Sequence, residues 1–311
     1  MQEYVVLLDK IFTHGAEKKN RTGISTIMSV GESMTYDMKD GFPLLWLKET
    51  NFKAIVNEFL WMVVHGSTDV KWLNERGHKF WDHWKLDDGT IGCGYGHQFR
   101  KWGEDPKCQR TGIDQVQSVI DSLTNDPLSR RHIISLWNVA DLDKMALPPC
   151  HGIAITFVTI PLTLCERMDV YEEMYNAKLH CYSGDCKYKE RLDDFGVPKF
   201  KLDLQMVQRS ADVPIGVPFN IAFYSIFLMV VAQVTNMIPN KFHWVGGDCH
   251  IYEDQIHGVE EMLERWHKQR PFPLSKLTID KSVTNINDFR YEHFELENYK
   301  FYPAIKIPVA V

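Results

Sequence analysis

Between Asn220 and Asn236 nearly every residue is apolar, and no Asp, Glu, Lys or Arg interrupts the run. Its longest uninterrupted part, Ile221 to Val234, is shorter than a bilayer span and carries Tyr224, Ser225 and Gln233. A helix that is apolar on every side must be enclosed by other layers of the same molecule. The run therefore predicts a buried central helix. Two segments read as strands. In Ile153–Phe157 and in Phe200–Met206 apolar residues recur at every second position, the pattern of half-buried strands.

The remaining elements follow from periodicity. Tyr4, Val5, Leu7, Leu8, Ile11 and Phe12 have helical spacing, as do Phe52, Ile55, Val56, Phe59, Leu60 and Val63. Ile113, Val116, Val119, Ile120 and Leu123 predict a third amphipathic helix, closed by Asn125, Asp126 and Pro127. Residues 252–268 predict a fourth, and the last forty residues read as short strands and turns. No repeat or linker divides the chain, so a single α+β domain spanning 1–311 is predicted. The charged, turn-rich stretch at about 161–199 lies between the two alternating segments and reads as an insertion.

The 311 residues carry a formal charge of −6, with no dominant run of Lys or Arg. That argues against nucleic-acid polymers and anionic membranes as partners and leaves room only for a local basic cluster, suited to one phosphate. The first residues lack the charged and apolar regions of a secretory leader. Seven cysteines, at 93, 108, 150, 165, 181, 186 and 249, are odd in number and irregular in spacing, which predicts reduced thiols and a cytoplasmic protein. Cys181 and Cys186 with His180 and Asp185 lack the usual metal-ligand spacing, so no metal is expected.

Two segments carry chemistry. Met145 to His151 (MALPPCH) sets a thiol beside an imidazole on a turn stiffened by two prolines. A Cys beside a His is most often a small buried hydrophobe. Here, though, Gln208 to Ala222 (QRSADVPIGVPFNIA) offers a guanidinium, a hydroxyl, a carboxylate and an amide within a few turns. Together they suit a cysteine nucleophile acting on a small anionic substrate. Arg130 and Arg131, Arg21 on its Asn-Arg-Thr-Gly turn, and Arg209 supply forks that match phosphate oxygens. Asn220 both donates and accepts, which suits a uracil edge, although a helix-capping role fits its position as well. Glu58, inside an apolar segment, is either half of an ion pair or a proton-relaying carboxyl. Trp81 and Trp84 are core residues or platforms for a flat ring.

These blocks resemble the thymidylate synthase family, and the resemblance covers nearly the whole chain outside about 161–199. It rests on Arg21-Thr-Gly, Asp40 to Pro43, Asn57 to Trp61, Trp81 to Trp84 and Tyr95-Gly, then on Ser129 to Arg131 and the two segments above, and finally on Gly246 to Tyr252 and Pro308 to Val311. It implies an α+β fold whose large mixed or antiparallel sheet forms a homodimer interface, and C5 one-carbon transfer to dUMP with 5,10-methylenetetrahydrofolate as co-substrate. In that scheme Cys150 attacks C6 of the uracil. Glu58, Tyr95 and His151 manage protons, and Arg209 assists the thiol and binds phosphate. Arg21, Gln208 and Ser210 complete the nucleotide site, with Arg130 and Arg131 reaching in from the partner subunit. Asn220 reads the base, while His250 and Tyr252 hold the ribose. Lys48, Asn51, Trp81, Trp84, Leu147, Asp212, Gly216, Phe219 and Ala310 fall to the folate side, Asp212 with a catalytic part as well.

The chain departs from the family's usual wording at Trp46-Leu47, Asn51, Cys93-Gly94 and Phe223. Reductive methylation to dTMP is the leading expectation. Hydroxymethylation of dUMP by water addition remains open, and a non-catalytic nucleotide- or mRNA-binding relative is a remote third reading that the retained thiol disfavours.

Overall fold

The computed structural model describes residues 1–20, 22–178 and 187–309. Its centre is a six-stranded mixed sheet in the order β1-β2-β6-β5-β4-β3. The strands are β1 (Ala16–Lys18), β2 (Thr26–Asp37), β3 (Ile133–Ile134), β4 (Ala154–Pro161), β5 (Phe200–Asp212) and β6 (Ile238–Tyr252). Every pairing is antiparallel except β5 with β6. A separate hairpin, β7 (Lys276–Ile279) with β8 (Phe294–Glu297), lies near the C-terminus.

The helices are α1 (Gln2–His14), α2 (Phe52–Phe59), α3 (Val70–Asn74), α4 (Gly96–Arg100), α5 (Gln115–Asn125), α6 (Leu164–Tyr175), α7 (Lys187–Asp194), α8 (Gly216–Val234) and α9 (Ile256–Lys268). The apolar run forms α8, the crossover that joins the one parallel pair, as parallel strands require. By length and composition α8 could span a membrane, with mean hydropathy 1.8 over its apolar window, but 78% of that window is buried inside the fold. It packs on β5, β6 and α2. This is the enclosure its composition demands.

Three sequence expectations need adjusting. The helix expected from Ile113 begins later, at Gln115 after an Asp114 cap, and Ile113 instead bridges Trp102. A carboxylate that accepts the Gln117 amide outcompetes one more apolar residue as a helix start. The helix expected at 51–64 stays α-helical only to Phe59 and widens into a π turn, Leu60–Val64, closed by His65 N donating to Leu60 O at 2.9 Å. The third adjustment concerns α8, which starts at Gly216, so Asn220 lies in its second turn and caps nothing.

The 162–199 stretch runs out from β4 and back into β5, carrying α6 and α7. The stretch read as an insertion includes residues 179–186, which lie outside the described ones, and Cys181, Cys186, His180 and Asp185 lie among them.

The sheet covers its core with one face. On β4, Ile155 and Phe157 are buried, while Val158 and Ile160 are exposed. Val30 on β2 and Ile133 on β3 are also exposed. On the parallel pair, Asp212 of β5 stands in register with His250 of β6. In open sheets of this kind, the carboxyl ends of parallel strands are the usual place for a ligand.

Candidate active site

At those strand ends lies a cavity of about 370 Å³, a size suited to a small metabolite. Cys150, Arg209 and Ser210 form one wall, and Asp248, His250 and Tyr252 another. Trp84, Ala146, Leu147 and Pro148 supply an apolar side.

The thiol is held by its own loop. Arg209 Nε donates to Pro149 O and Arg209 Nη2 to Pro148 O, both at 2.8 Å, and Nη2 lies 3.7 Å from Cys150 Sγ. The backbones are joined as well, Arg209 N donating to Cys150 O at 2.9 Å. The two prolines bring carbonyls but no donors, and the guanidinium takes up those carbonyls. Two of its five N–H groups are spent there, and the side chain is otherwise exposed to the cavity side. Its charge beside sulfur favours negative charge developing on that atom. Trp137 supports it, its ring centre 5.2 Å from the guanidinium carbon.

Behind the thiol, Tyr95 Oη accepts from Cys150 N at 2.9 Å. Tyr95 has φ 34° and ψ −91°, a conformation that L-residues with a Cβ avoid at a cost of about 1–3 kcal/mol. Its ring is wedged between Trp81, at 5.4 Å, and His151, at 4.8 Å, so tertiary packing overrides the local preference. His151 pairs through Nδ1 with Tyr224 Oη at 2.9 Å. Burial pushes the imidazole down to about 3, so it is neutral at physiological pH.

Glu58 sits where α2 gives way to the π turn. Its Oε1 accepts from Trp81 Nε1 at 2.7 Å. Desolvation raises its carboxyl to about 7, against the opposing effect of that hydrogen bond. A carboxyl there exchanges a proton near neutral pH, as a relay requires. No ion pair forms with it among the described residues. Trp81 is itself buried and faces Glu58, whereas Trp84 reaches the cavity wall.

Asn220 is oriented by a chain of amides. Trp244 Nε1 donates to Gln208 Oε1 at 2.9 Å, and Gln208 Nε2 donates to Asn220 Oδ1 at 3.1 Å. The indole N–H fixes which way round Gln208 lies, and Gln208 in turn fixes Asn220. Asn220 Nδ2 is then left as a donor, and one lone pair of Oδ1 as an acceptor.

Asp212 lies half-buried near His250 and Lys48. Desolvation raises its carboxyl, while a hydrogen bond from Gln255, the charges of His250 and Lys48 and the Ile215 amide pull the other way. Lys48, which is buried, is lowered by desolvation. His250 Nδ1 pairs with Asp248 Oδ1 at 2.9 Å, and Lys18 Nζ with Asp248 Oδ2 at 2.6 Å. Gly216 and Phe219 occupy the first turn of α8, next to Asp212 and against the core respectively.

Of the residues named from sequence, Trp84, Leu147, Cys150, Arg209, Ser210, His250 and Tyr252 line the cavity, while Glu58, Trp81, Tyr95, His151, Gln208, Asn220, Asp212 and Lys48 lie off its wall and connect to it through the contacts above; the others fall elsewhere. Arg130 and Arg131 are exposed on the loop before β3 and do not line this cavity. The Asn51 side chain accepts from Ala54 N at 3.0 Å and caps α2. Arg21 and Ala310 lie outside the described residues. Sequence reading missed Lys18, Asn20, Thr22 and Asp248 on the wall, and Trp137, Tyr224 and Gln255 behind it. Only Asn20 carried a local signal, since its Oδ1 accepts the Thr22 amide at 2.9 Å in the turn that Asn-x-Thr favours. Among the described residues no cluster of three His, Cys, Asp or Glu could hold a metal ion.

A thiol braced by a guanidinium, a carboxyl poised near neutrality behind it and an oriented amide make up a site for nucleophilic addition to a polar ring. The family model of thymidylate synthase matches residues 2–311, nearly the whole chain. The protein therefore belongs to the thymidylate synthase family, folate-dependent transferases acting at C5 of dUMP.

Proposed function

We propose that this protein methylates dUMP reductively to dTMP, with 5,10-methylenetetrahydrofolate as the one-carbon and hydride donor. The observation that carries this reading is the placement of Cys150 Sγ 3.7 Å from Arg209 Nη2 on the cavity wall, with Tyr95 holding the thiol's own amide. Cys150 adds to C6 of the uracil, and C5 becomes the nucleophile. Asn220, oriented by Gln208, stabilises charge on the base carbonyl. Glu58, near its midpoint at neutral pH, passes protons to and from the base, with neutral His151 and Tyr95 lining the path.

The folate fits the other side of the cavity. Trp84 and Leu147 offer apolar surface on the cavity wall, and the half-buried Asp212, in register with His250, a hydrogen-bonding carboxyl for a pterin ring. When bound, the folate supplies the one-carbon unit and the reducing equivalent. The aromatic enclosure formed by Phe223, Tyr224 and Tyr95 around His151 favours a dry interior and hence hydride over water.

The decisive assay incubates the protein with dUMP and methylenetetrahydrofolate. Dihydrofolate formed in step with dTMP supports reductive methylation. Formation of 5-hydroxymethyl-dUMP without dihydrofolate would make it a hydroxymethylase, and no covalent adduct at Cys150 would overturn both.

Two further parts belong to this reading. The protein works as a homodimer through the open face of the sheet, where Val30, Ile133, Val158 and Ile160 leave apolar surface uncovered. Arg130 and Arg131, exposed and away from their own cavity, then serve the partner's phosphate site. The compartment is a reducing cytoplasm, in keeping with Cys93, Cys108, Cys150, Cys165 and Cys249 lying outside any disulfide among the described residues.

A further inference from the structure

Gln255 lies in the turn between β6 and α9 and has no exposed surface. Its one amide joins three separate pieces of the chain. Oε1 accepts from Tyr252 N at 3.1 Å, Nε2 donates to Asp212 Oδ2 at 3.0 Å, and Nε2 also donates to Pro308 O at 3.1 Å. Tyr252 ends the strand on the nucleotide wall. Asp212 ends the neighbouring parallel strand. Pro308 belongs to the C-terminal segment.

That segment is laid down by several independent contacts. Tyr302 N donates to Trp46 O at 2.9 Å, and the Trp46 and Tyr302 rings meet at 6.0 Å. Arg265 Nη1 donates to both Leu47 O and Pro303 O at 2.6 Å. A Cβ on Gly258 would stand 2.6 Å from Ile307, so α9 is shaped to admit the segment. All these contacts fix the segment to the body of the protein. Gln255 alone, among the described residues, ties it by a side-chain hydrogen bond to a carboxylate of the site.

We propose that Gln255 is a positioning residue that locks the Asp212 carboxylate to the C-terminal segment, so that the folate side of the site is assembled only when that segment is seated. The inference rests on the assignment of Asp212 to the folate side. Both N–H groups of the amide are used, one on each partner, and neither is available to a substitute without two donors. Losing the segment frees a donor and leaves Asp212 less restrained. Losing the amide leaves Asp212 and the Pro308 carbonyl facing one another, both acceptors.

Two variants test this. Gln255→Met keeps side-chain length and removes all three bonds. Gln255→Glu keeps the acceptor for Tyr252 N and replaces the donor by an oxygen facing Asp212. Lys48, His250 and Tyr4 are the other titratable groups around that carboxylate. At neutral pH both variants should raise KM for methylenetetrahydrofolate by about tenfold or more, the loss expected for a hydrogen bond to a charged group. The Kd for dUMP should change less than about twofold, as a group outside the nucleotide contacts predicts. In Gln255→Glu the defect should shrink as pH falls below 6, because the introduced carboxyl regains a proton and can donate again, while Gln255→Met should show no such recovery.

Carboxypeptidase digestion of the apo-protein reads the same link without turnover, and both variants should release C-terminal residues faster than the parent. Parental digestion rates in both variants would overturn the proposal. So would a parental folate KM, or equal losses of dUMP affinity and folate affinity with no pH rescue. If the parent protein itself fails to use folate while the variants still loosen the segment, the functional assignment falls and the link between Gln255 and the segment stands.

Discussion

Replacing Trp81 by Phe removes one hydrogen bond from Glu58 and leaves its burial largely in place. Two opposing effects set this carboxyl: desolvation raises it to about 7, and the Trp81 Nε1–H, at 2.7 Å, lowers it. A hydrogen bond to a charged group contributes about 1.5–3 kcal/mol, and one pKa unit corresponds to about 1.4 kcal/mol. Trp81→Phe should therefore raise the Glu58 midpoint by roughly 1–2 units, to about 8–9. The assay is kcat against pH from 5.5 to 9.5 at saturating substrates, with Glu58→Gln as the control that abolishes the inflection. The inflection near 7 moves upward whichever protonation form the slow step requires, so the direction does not depend on mechanistic detail. The same shift appears in stability. A carboxyl with a folded value of about 7 against 4.5 when unfolded stabilises the fold below about pH 4.5, and that contribution, about 3 kcal/mol, is lost as pH rises through 7. Urea unfolding of the variant should show the loss extending to higher pH, on top of a packing cost of roughly 1–3 kcal/mol where Trp81 meets Trp61, Trp84 and Tyr95. An inflection that stays near 7 in Trp81→Phe, or survives in Glu58→Gln, refutes the assignment of Glu58 as the titrating relay.

Cys150→Ser should abolish turnover while dUMP binding, measured by calorimetry, persists, since Arg209 and Ser210 keep their places; substantial residual rate would remove the thiol from the mechanism. The parent should prefer dUMP over dCMP by on the order of 10⁴-fold in kcat/KM, because the Gln208-oriented amide matches one base pattern, and Asn220→Asp should narrow or invert that preference. Mixing Cys150→Ser with Arg131→Ala, each inactive alone, should restore up to about half of the sites per heterodimer under twofold symmetry. With subunit exchange verified by tagged co-purification, activity no higher than the single variants would place the arginines in their own subunit.

Much of the chemistry was legible because it is written locally. The proline-framed Cys150 beside His151, and Arg209, Ser210, Asp212 and Asn220 within a dozen residues, stand out as short patterns whose residue types have few other uses. The central helix was legible for a related reason. A run with no polar face has one destination, whatever encloses it, and α8 occupies it. The strands β4 and β5 showed their alternation because each has one face on the core.

What only the tertiary structure decided is pairing. β2 and β6 carry the longest antiparallel register in the sheet, yet neither alternates cleanly. β2 opens its middle residues, including Val30, to the uncovered face, and β6 breaks its period at Gly246 and Gly247. Gly246 is required there because a Cβ would lie 2.2 Å from the Trp244 ring, a contact invisible along the chain. The partners that orient the site are equally remote in sequence. Tyr224 lies 73 residues from His151, Gln208 lies 36 from Trp244, and Gln255 lies 43 from Asp212 and 53 from Pro308. Local pattern reports which side of an element avoids water, because burial depends on that element's own periodicity. It carries no information on which distant polar group completes a hydrogen bond. Whether Glu58 finds an ion pair, which would hold it in or below the ordinary carboxylate range, or an indole in a desolvated setting, which leaves it near 7, depends on the neighbours that folding delivers.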